Sequence, residues 1–174
     1  MKASQLVTIR PLGRQDAASY RALRIAALEA EPEAFSADLE EVRRRDFAWF
    51  ERRLDVQAPS AHFGAFLDDN LVGLASLSVE SSAKQRHRGL VTGVFVAQEA
   101  RGRGLAARLL GGVIAYASKH VDVLDLAVGT DNTPARALYG RLGFRPYGVM
   151  RDALRVDGRS IDEELMALDL RARD

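Results

Sequence analysis

The densest chemical information in the chain lies where Val94-Phe95-Val96 runs through Ala97-Gln98-Glu99-Ala100 into Arg101-Gly102-Arg103-Gly104-Leu105-Ala106. An apolar β-branched run, a short loop with two glycines and then Leu105, Leu109, Val113 and Tyr116 at helical spacing describe a strand that leads into a helix N-terminus. The first N–H groups of a helix have no intrahelical acceptor and sit at the positive end of its dipole, so such a junction is suited to holding an anion. Gly102 and Gly104 let the main chain approach a phosphate with no Cβ in the way, and Arg101 and Arg103 add charge. Taken alone, the loop reads equally well as a glycine turn that only joins strand to helix.

A second segment, Asn132-Thr133-Pro134-Ala135-Arg136-Ala137-Leu138-Tyr139-Gly140-Arg141-Leu142-Gly143-Phe144, sets an asparagine after a strand end and a tyrosine two helical turns along. Thr133-Pro134 reads as a helix cap followed by proline at the first helical position, where its missing N–H costs nothing. On chemistry alone, Asn132 is a ligand-binding amide or a turn residue, and Tyr139 is a proton donor or a structural residue with a tied hydroxyl.

Together the two segments resemble the GNAT family of N-acetyltransferases. Arg101-x-x-Gly104-x-Ala106 is similar to the family's R/Q-x-x-G-x-G/A signature, and the second segment to its N-x-x-A-x-x-L-Y-x-x-x-G-F pattern. The resemblance runs from the Thr8-Ile9-Arg10-Pro11 opening to the Asp157-Gly158 turn. It implies an α/β (α+β) fold over one domain, residues 1–174. The sheet would be mixed and mostly antiparallel, with about seven strands and about four helices, splayed where an acyl-CoA binds.

The resemblance also implies roles. Val94, Phe95 and Val96 would pair with pantetheine, with Phe95 near the acyl carbonyl, and the amides of Arg101, Gly102, Arg103, Gly104, Leu105 and Ala106 would cup the pyrophosphate. Asn132 would hold the pantetheine arm and Tyr139 would face the sulfur as the acid for the leaving thiolate. Acetyl-CoA would be the co-substrate, and a small-molecule or peptide amine the acceptor; a homodimer is left open. The absence of cysteine fits direct attack without a cysteinyl acyl-enzyme. One departure stands out: where many relatives carry a glutamate five residues before the asparagine, this chain has Ala127, so the general base is unassigned among Asp125, Glu80 and Glu163.

Two rivals come from other classes. Gly102-x-Gly104-x-x-Ala107 satisfies the dinucleotide-binding pattern of an oxidoreductase, although in that fold the first glycine follows its strand almost at once. A non-catalytic acyl-CoA-binding module on the same fold is the other. Neither a G-x-S-x-G nucleophile elbow nor a P-loop occurs. His62, His87 and His120 do not fall at metal-ligand spacing, and no metal is implied.

The elements that must position these residues are legible from periodicity. Val7 to Arg10 reads as a strand, and Tyr20, Leu23, Ala27 and Leu28 as a helix after an Asp16 cap. A second helix is expected from Ser36, stapled by Phe35 and carrying Leu39, Val42, Trp49, Phe50 and Leu54 inward, with Arg43, Arg44 and Arg45 as solvated surface. His62 to Leu67 and Leu71 to Val79 form a hairpin across Asp68-Asp69-Asn70; strands follow at Leu90 to Val96 and Val123 to Val128. Phe144 to Arg155 and Ser160 to Leu168 are two strands joined by a type I′ turn at Asp157-Gly158.

Composition sets the outer limits. The chain has 174 residues, 47% of them hydrophobic, and its 25 basic and 24 acidic residues leave a net charge of +1. That balance, without a block of like charges, points to neither nucleic acid nor an anionic membrane as a partner. No apolar run reaches the roughly 18 to 20 residues of a membrane helix, and no signal peptide pattern opens the chain, so a cytoplasmic location is expected.

Overall fold

The computed structural model describes residues 6–171. Its strands are β1 (Val7–Pro11), β2 (Ala61–Leu67), β3 (Asn70–Val79), β4 (Arg88–Val96), β5 (Val123–Gly129), β6 (Arg145–Val156) and β7 (Arg159–Asp169). The helices are α1 (Ala17–Ala30), α2 (Leu39–Arg43), α3 (Phe47–Leu54), α4 (Leu105–Ala117) and α5 (Thr133–Arg141). The strands make one open sheet in the order β1-β2-β3-β4-β5-β7-β6. Every neighbouring pair is antiparallel except β4 and β5. This is the splayed, mostly antiparallel sheet that the sequence implies, and it excludes the parallel doubly wound sheet that the dinucleotide pattern requires.

Each face of the sheet has its own core. One packs Leu109 and Val113 of α4 and Tyr139 of α5 on Leu77, Leu124 and Met166, with Phe144 fully buried among them. The other packs Tyr20, Leu23 and Leu28 of α1 and Phe50 of α3 on Phe66, Leu74 and Phe95. The apolar spacing read from the sequence therefore points inward as expected. No helix among the described residues is long and apolar enough to cross a membrane.

The helix expected from Ser36 is two helices instead, which raises the α-helix count from about four to five. Asp38 caps α2 by accepting the Glu41 N–H at 2.9 Å, and Asp46 caps α3 by accepting the Trp49 N–H at 2.8 Å. A side chain that caps an N-terminus holds its own residue out of helical conformation, so Asp46 interrupts an otherwise continuous apolar stripe. Phe35 is extended rather than stapled to a helix, and its ring lies 6.4 Å from that of Phe95. Arg43 and Arg44 bond to Glu40 and Arg45 lies over Trp49, as surface groups do.

The sheet ends on β6, whose pairing with β7 is irregular between Pro146 and Gly148 and again between Met150 and Leu154. At the second irregularity Asp152 takes φ +50° and its N–H donates to the Asp162 carboxylate at 2.8 Å. The Asp157-Gly158 turn has positive φ at both residues, as type I′ demands.

Asp16, expected as a helix cap, stands at the cap position of α1 but spends its carboxylate elsewhere. It accepts two bonds from the Arg10 guanidinium, each 2.8 Å, and one from the Gly13 N–H at 2.9 Å. Those bonds to Arg10 hold the Asp16 pKa below the ordinary carboxylate value, so its stabilisation is full above the unfolded pKa and is lost as pH falls through the folded one. Asp16→Ala is expected to cost about 2 kcal/mol at neutral pH. Urea unfolding at pH 7 and pH 3 checks it: the gap between wild type and variant should narrow at the lower pH.

Candidate active site

The two strands that flank the only parallel pairing among the described residues part company. β4 and β5 are in register at Arg88↔Val123, Gly89↔Leu124 and Leu90↔Asp125, and no pairing follows. From there β4 stays with β3 and β5 stays with β7. The cause is visible in β4: between Thr92 and Phe95 its register against β3 shifts, and Gly93 at φ +63° forms the bulge. A bulge bends its strand and re-aims the backbone, and at that φ glycine is the residue without a steric penalty. Sequence reasoning passed over Gly93, although a glycine inside a strand pattern is a bulge signal.

The parting leaves a cleft of about 400 Å³, walled on one side by Val91 to Val96 and on the other by Leu126 to Gly129. Of the residues singled out in the sequence, Val94, Phe95, Val96, Arg101, Ala106, Asn132 and Tyr139 line it. Gly102, Arg103, Gly104 and Leu105 form the loop and helix start beyond its rim. Gly104 is the N-cap of α4 at φ +70°, with no side-chain acceptor, and the helix ladder begins with the Arg108 N–H bonding to Gly104 O at 3.1 Å. A Cβ at Gly102 or Gly104 would meet nothing within 4 Å, so the space in front of these main-chain groups is open.

Arg101 behaves differently from its expected part in the anion site. Its Nε donates to the Val96 carbonyl at 2.9 Å, its Nη2 pairs with Glu31, and its guanidinium lies over the Phe95 ring. It fastens the loop to the end of β4 and to the end of α1. The pairing of Arg101 with Glu31 carried no signal in the sequence, because only the fold brings the two together across 70 positions.

Asn132, rather than Thr133, caps α5: its Oδ1 accepts the Ala135 N–H at 3.2 Å, and Pro134 falls one position later than expected. With the carbonyl oxygen so engaged, the side-chain NH2 is the group left to face the cleft. Arg136 fixes α5 against β7 through two 2.9 Å bonds to Glu164 and one to Thr130 O at 3.1 Å. That anchoring sets Tyr139, which is buried and packs edge-on to Phe144, and whose hydroxyl makes no hydrogen bond among the described residues. Burial, aided by the negative charge of Glu31, pushes its pKa up to about 12, so the phenol keeps its proton across the neutral range.

The candidate bases separate clearly. Asp125 is tied to Arg88 by bonds of 2.9 and 2.6 Å, and Glu80 is exposed beyond the end of β3. Glu163 lines the cleft, and burial raises its carboxyl pKa above the ordinary value. It pairs with Gly129, and Ala127 lies two residues back on the same face of β5. Gly129 and Ala127 line the same cleft as Glu163.

A strand edge for an extended arm, an open helix N-terminus for phosphates, and a phenol and a carboxylate between them suit an acyl-CoA and an amine. The Acetyltransferase (GNAT) family profile matches residues 22–144, most of the chain. The chain belongs to that family. As a GNAT acetyltransferase it uses acetyl-CoA. It is 27% identical over 150 residues to an L-amino acid N-acetyltransferase of Escherichia coli, covering 85% of this chain and 90% of that protein. It is 34% identical over 137 residues, 77% of this chain, to a mycothiol acetyltransferase of Clavibacter michiganensis, but spans 41% of that protein's length. A structure of yncA from Salmonella typhimurium with its cofactor acetyl-CoA shares the fold at TM-score 0.77 and 23% identity, covering 95% of this chain and 94% of that one.

Replacing Gly104 tests the loop of this GNAT chain. A valine disfavours the left-handed conformation at φ +70°, so Gly104→Val is expected to weaken acetyl-CoA binding by about 1–2 kcal/mol. Calorimetry checks it, with circular dichroism to confirm folding; wild-type affinity in a folded variant would remove the loop from the binding site.

Proposed function

We propose that this GNAT protein moves the acetyl group of acetyl-CoA directly to an amine, with Tyr139 as acid and Glu163 as base. The observation that carries the reading is the convergence of both side chains on the cleft between β4 and β5. The edge of β4 from Val94 to Val96 has no strand paired to it on the β5 side and faces the pantetheine arm, with the Val96 carbonyl taken up by Arg101, and the Asn132 NH2 adds a donor from the opposite wall. The amides from Arg101 to Ala106, with Arg103 beside them, hold the pyrophosphate, while Arg101 stabilises the loop that presents them.

Glu163 in its carboxylate form accepts a proton from the attacking amine, directly or through water, and its raised pKa makes it a stronger base than an exposed glutamate. A β4 amide at the bulge donates to the carbonyl oxygen as negative charge grows there. Tyr139 donates its proton to the departing sulfur. A phenol that keeps its proton and a carboxylate of raised basicity, facing one cleft, supply a donor and an acceptor for direct transfer.

Acidic groups collect where the acceptor would enter. Glu31, Glu33 and Asp131 line a pocket of about 450 Å³ that joins the cleft at Gly129 and Asn132. A further groove of about 510 Å³ lies between Phe35 to Leu39 and Ala153 to Asp157. Negative potential at the entrance favours a positively charged amine on a small molecule or a peptide.

Tyr139→Phe removes one oxygen and is expected to lower kcat about a hundredfold while leaving melting temperature and acetyl-CoA affinity close to wild type. Steady-state kinetics on a panel of amines, beside calorimetry on the same preparations, reads both; unchanged kcat with chemistry rate-limiting would end the role. For Glu163→Gln the informative quantity is the pH profile. Wild-type kcat should fall as pH drops through the raised Glu163 pKa and the base is protonated, and the variant, slower throughout, should lose that limb.

A further inference from the structure

Behind the β4 bulge, on the α1 side of the sheet, two arginines are half-buried with no carboxylate to balance them. Arg24 of α1 makes no hydrogen bond or ion pair among the described residues. Its guanidinium lies over the Phe35 ring at 5.0 Å, and Nη1 would be 3.5 Å from a Cβ placed on Gly93. Arg53 donates to the Tyr20 hydroxyl at 2.9 Å and lies over Trp49, again without an acidic partner. The neighbouring His62 is held neutral, its pKa lowered to about 4 by burial and by the positive charge of Arg53, and its Nδ1 is bonded to Ser76 Oγ at 2.7 Å. Desolvation likewise lowers the Arg24 pKa, and the charge of Arg53 adds to it. Among the described residues eleven other arginines are engaged in ion pairs, whereas the Arg24 guanidinium is desolvated by burial outside that set. Partly buried charges are stable when matched, and the complement of these two guanidiniums is an anion.

We infer that Arg24, reinforced by Arg53, anchors the carboxylate of the acceptor, and that the acceptor is a free α-amino acid rather than the N-terminus of a peptide. This rests on the acyltransferase reading of the cleft. Gly93 lines that cleft and its absent side chain points at Arg24, so an anion on Arg24 sits against the backbone where the acetyl carbonyl is received. In an α-amino acid the carboxylate and the amine share one carbon, and a carboxylate held there sets the amine beside the bulge. In a peptide that carboxyl is an amide and offers no charge.

The test compares alanine, leucine and methionine with their amides, as acceptors for wild type, Arg24→Met and Arg24→Lys. Wild type is expected to favour the acids through KM, and Arg24→Met to raise KM for the acids about ten- to a hundredfold, erasing the preference. Arg24→Lys should keep part of it. A wild-type preference for the amides, or discrimination that survives Arg24→Met, would overturn the anchor; if Arg24→Met fails to fold, the wild-type and lysine data decide. Binding of N-acetylmethionine and its amide in the presence of coenzyme A, measured by calorimetry, reads the anchor without turnover. No transfer to any amine would sink the acyltransferase reading, whereas equal binding of acid and amide would sink the anchor.

Discussion

Everything in the cleft depends on a strand that cannot satisfy two neighbours at once. β4 is paired to β3 along its length and to β5 only through Leu90, and the bulge at Gly93 turns its free edge away from β5. Two unpaired strand edges facing each other are costly unless something pairs with them, because main-chain N–H and C=O groups are obligatory hydrogen-bonding groups. The fold keeps the gap open by giving each strand a good antiparallel partner on its far side, β3 for one and β7 for the other. It then places α4 and α5 at the two ends of the opening. The crossover from β4 through α4 to β5 carries the helix N-terminus to the mouth of the gap, so the parallel pairing and the open helix N-terminus are products of one connection.

Much of this was legible in the sequence. Helical and alternating periods located nearly every element, and the Arg101 to Ala106 and Asn132 to Phe144 segments both contribute residues to one cleft. What escaped notice was short-range chemistry that competes with periodicity. Asp46 splits the helix expected from Ser36 because its carboxylate caps a new helix, and a stripe of apolar residues carries no mark of that break. Asn132 takes the cap expected of Thr133, since both side chains are good acceptors and only the backbone geometry decides between them.

Other parts were illegible because they are made by distance in the chain. Arg101 is drawn to Val96 O and Glu31, Glu163 lines the cleft from β7, and Arg24 has no acid paired to it among the described residues. Each of these depends on which strands neighbour one another. The alanine at position 127 looked like a missing base. In the folded sheet it lines the same cleft as Glu163 of the neighbouring strand.

The broken pairing of β6 has a meaning for the protein's surface. A sheet that ends on a twelve-residue strand presents a long row of free main-chain groups, and Tyr147, Val149 and Met150 of this strand are exposed. Straight and flat, such an edge would recruit the matching edge of another copy and grow by accretion. Irregularities on both sides of Met150, with Pro146 at one and the left-handed Asp152 held by Asp162 at the other, leave only a few residues in line between them. The interruption of β6, beside the groove lined by Ala153 to Asp157, therefore also works against edge-to-edge aggregation, letting the chain carry an open sheet without inviting its own copies to extend it.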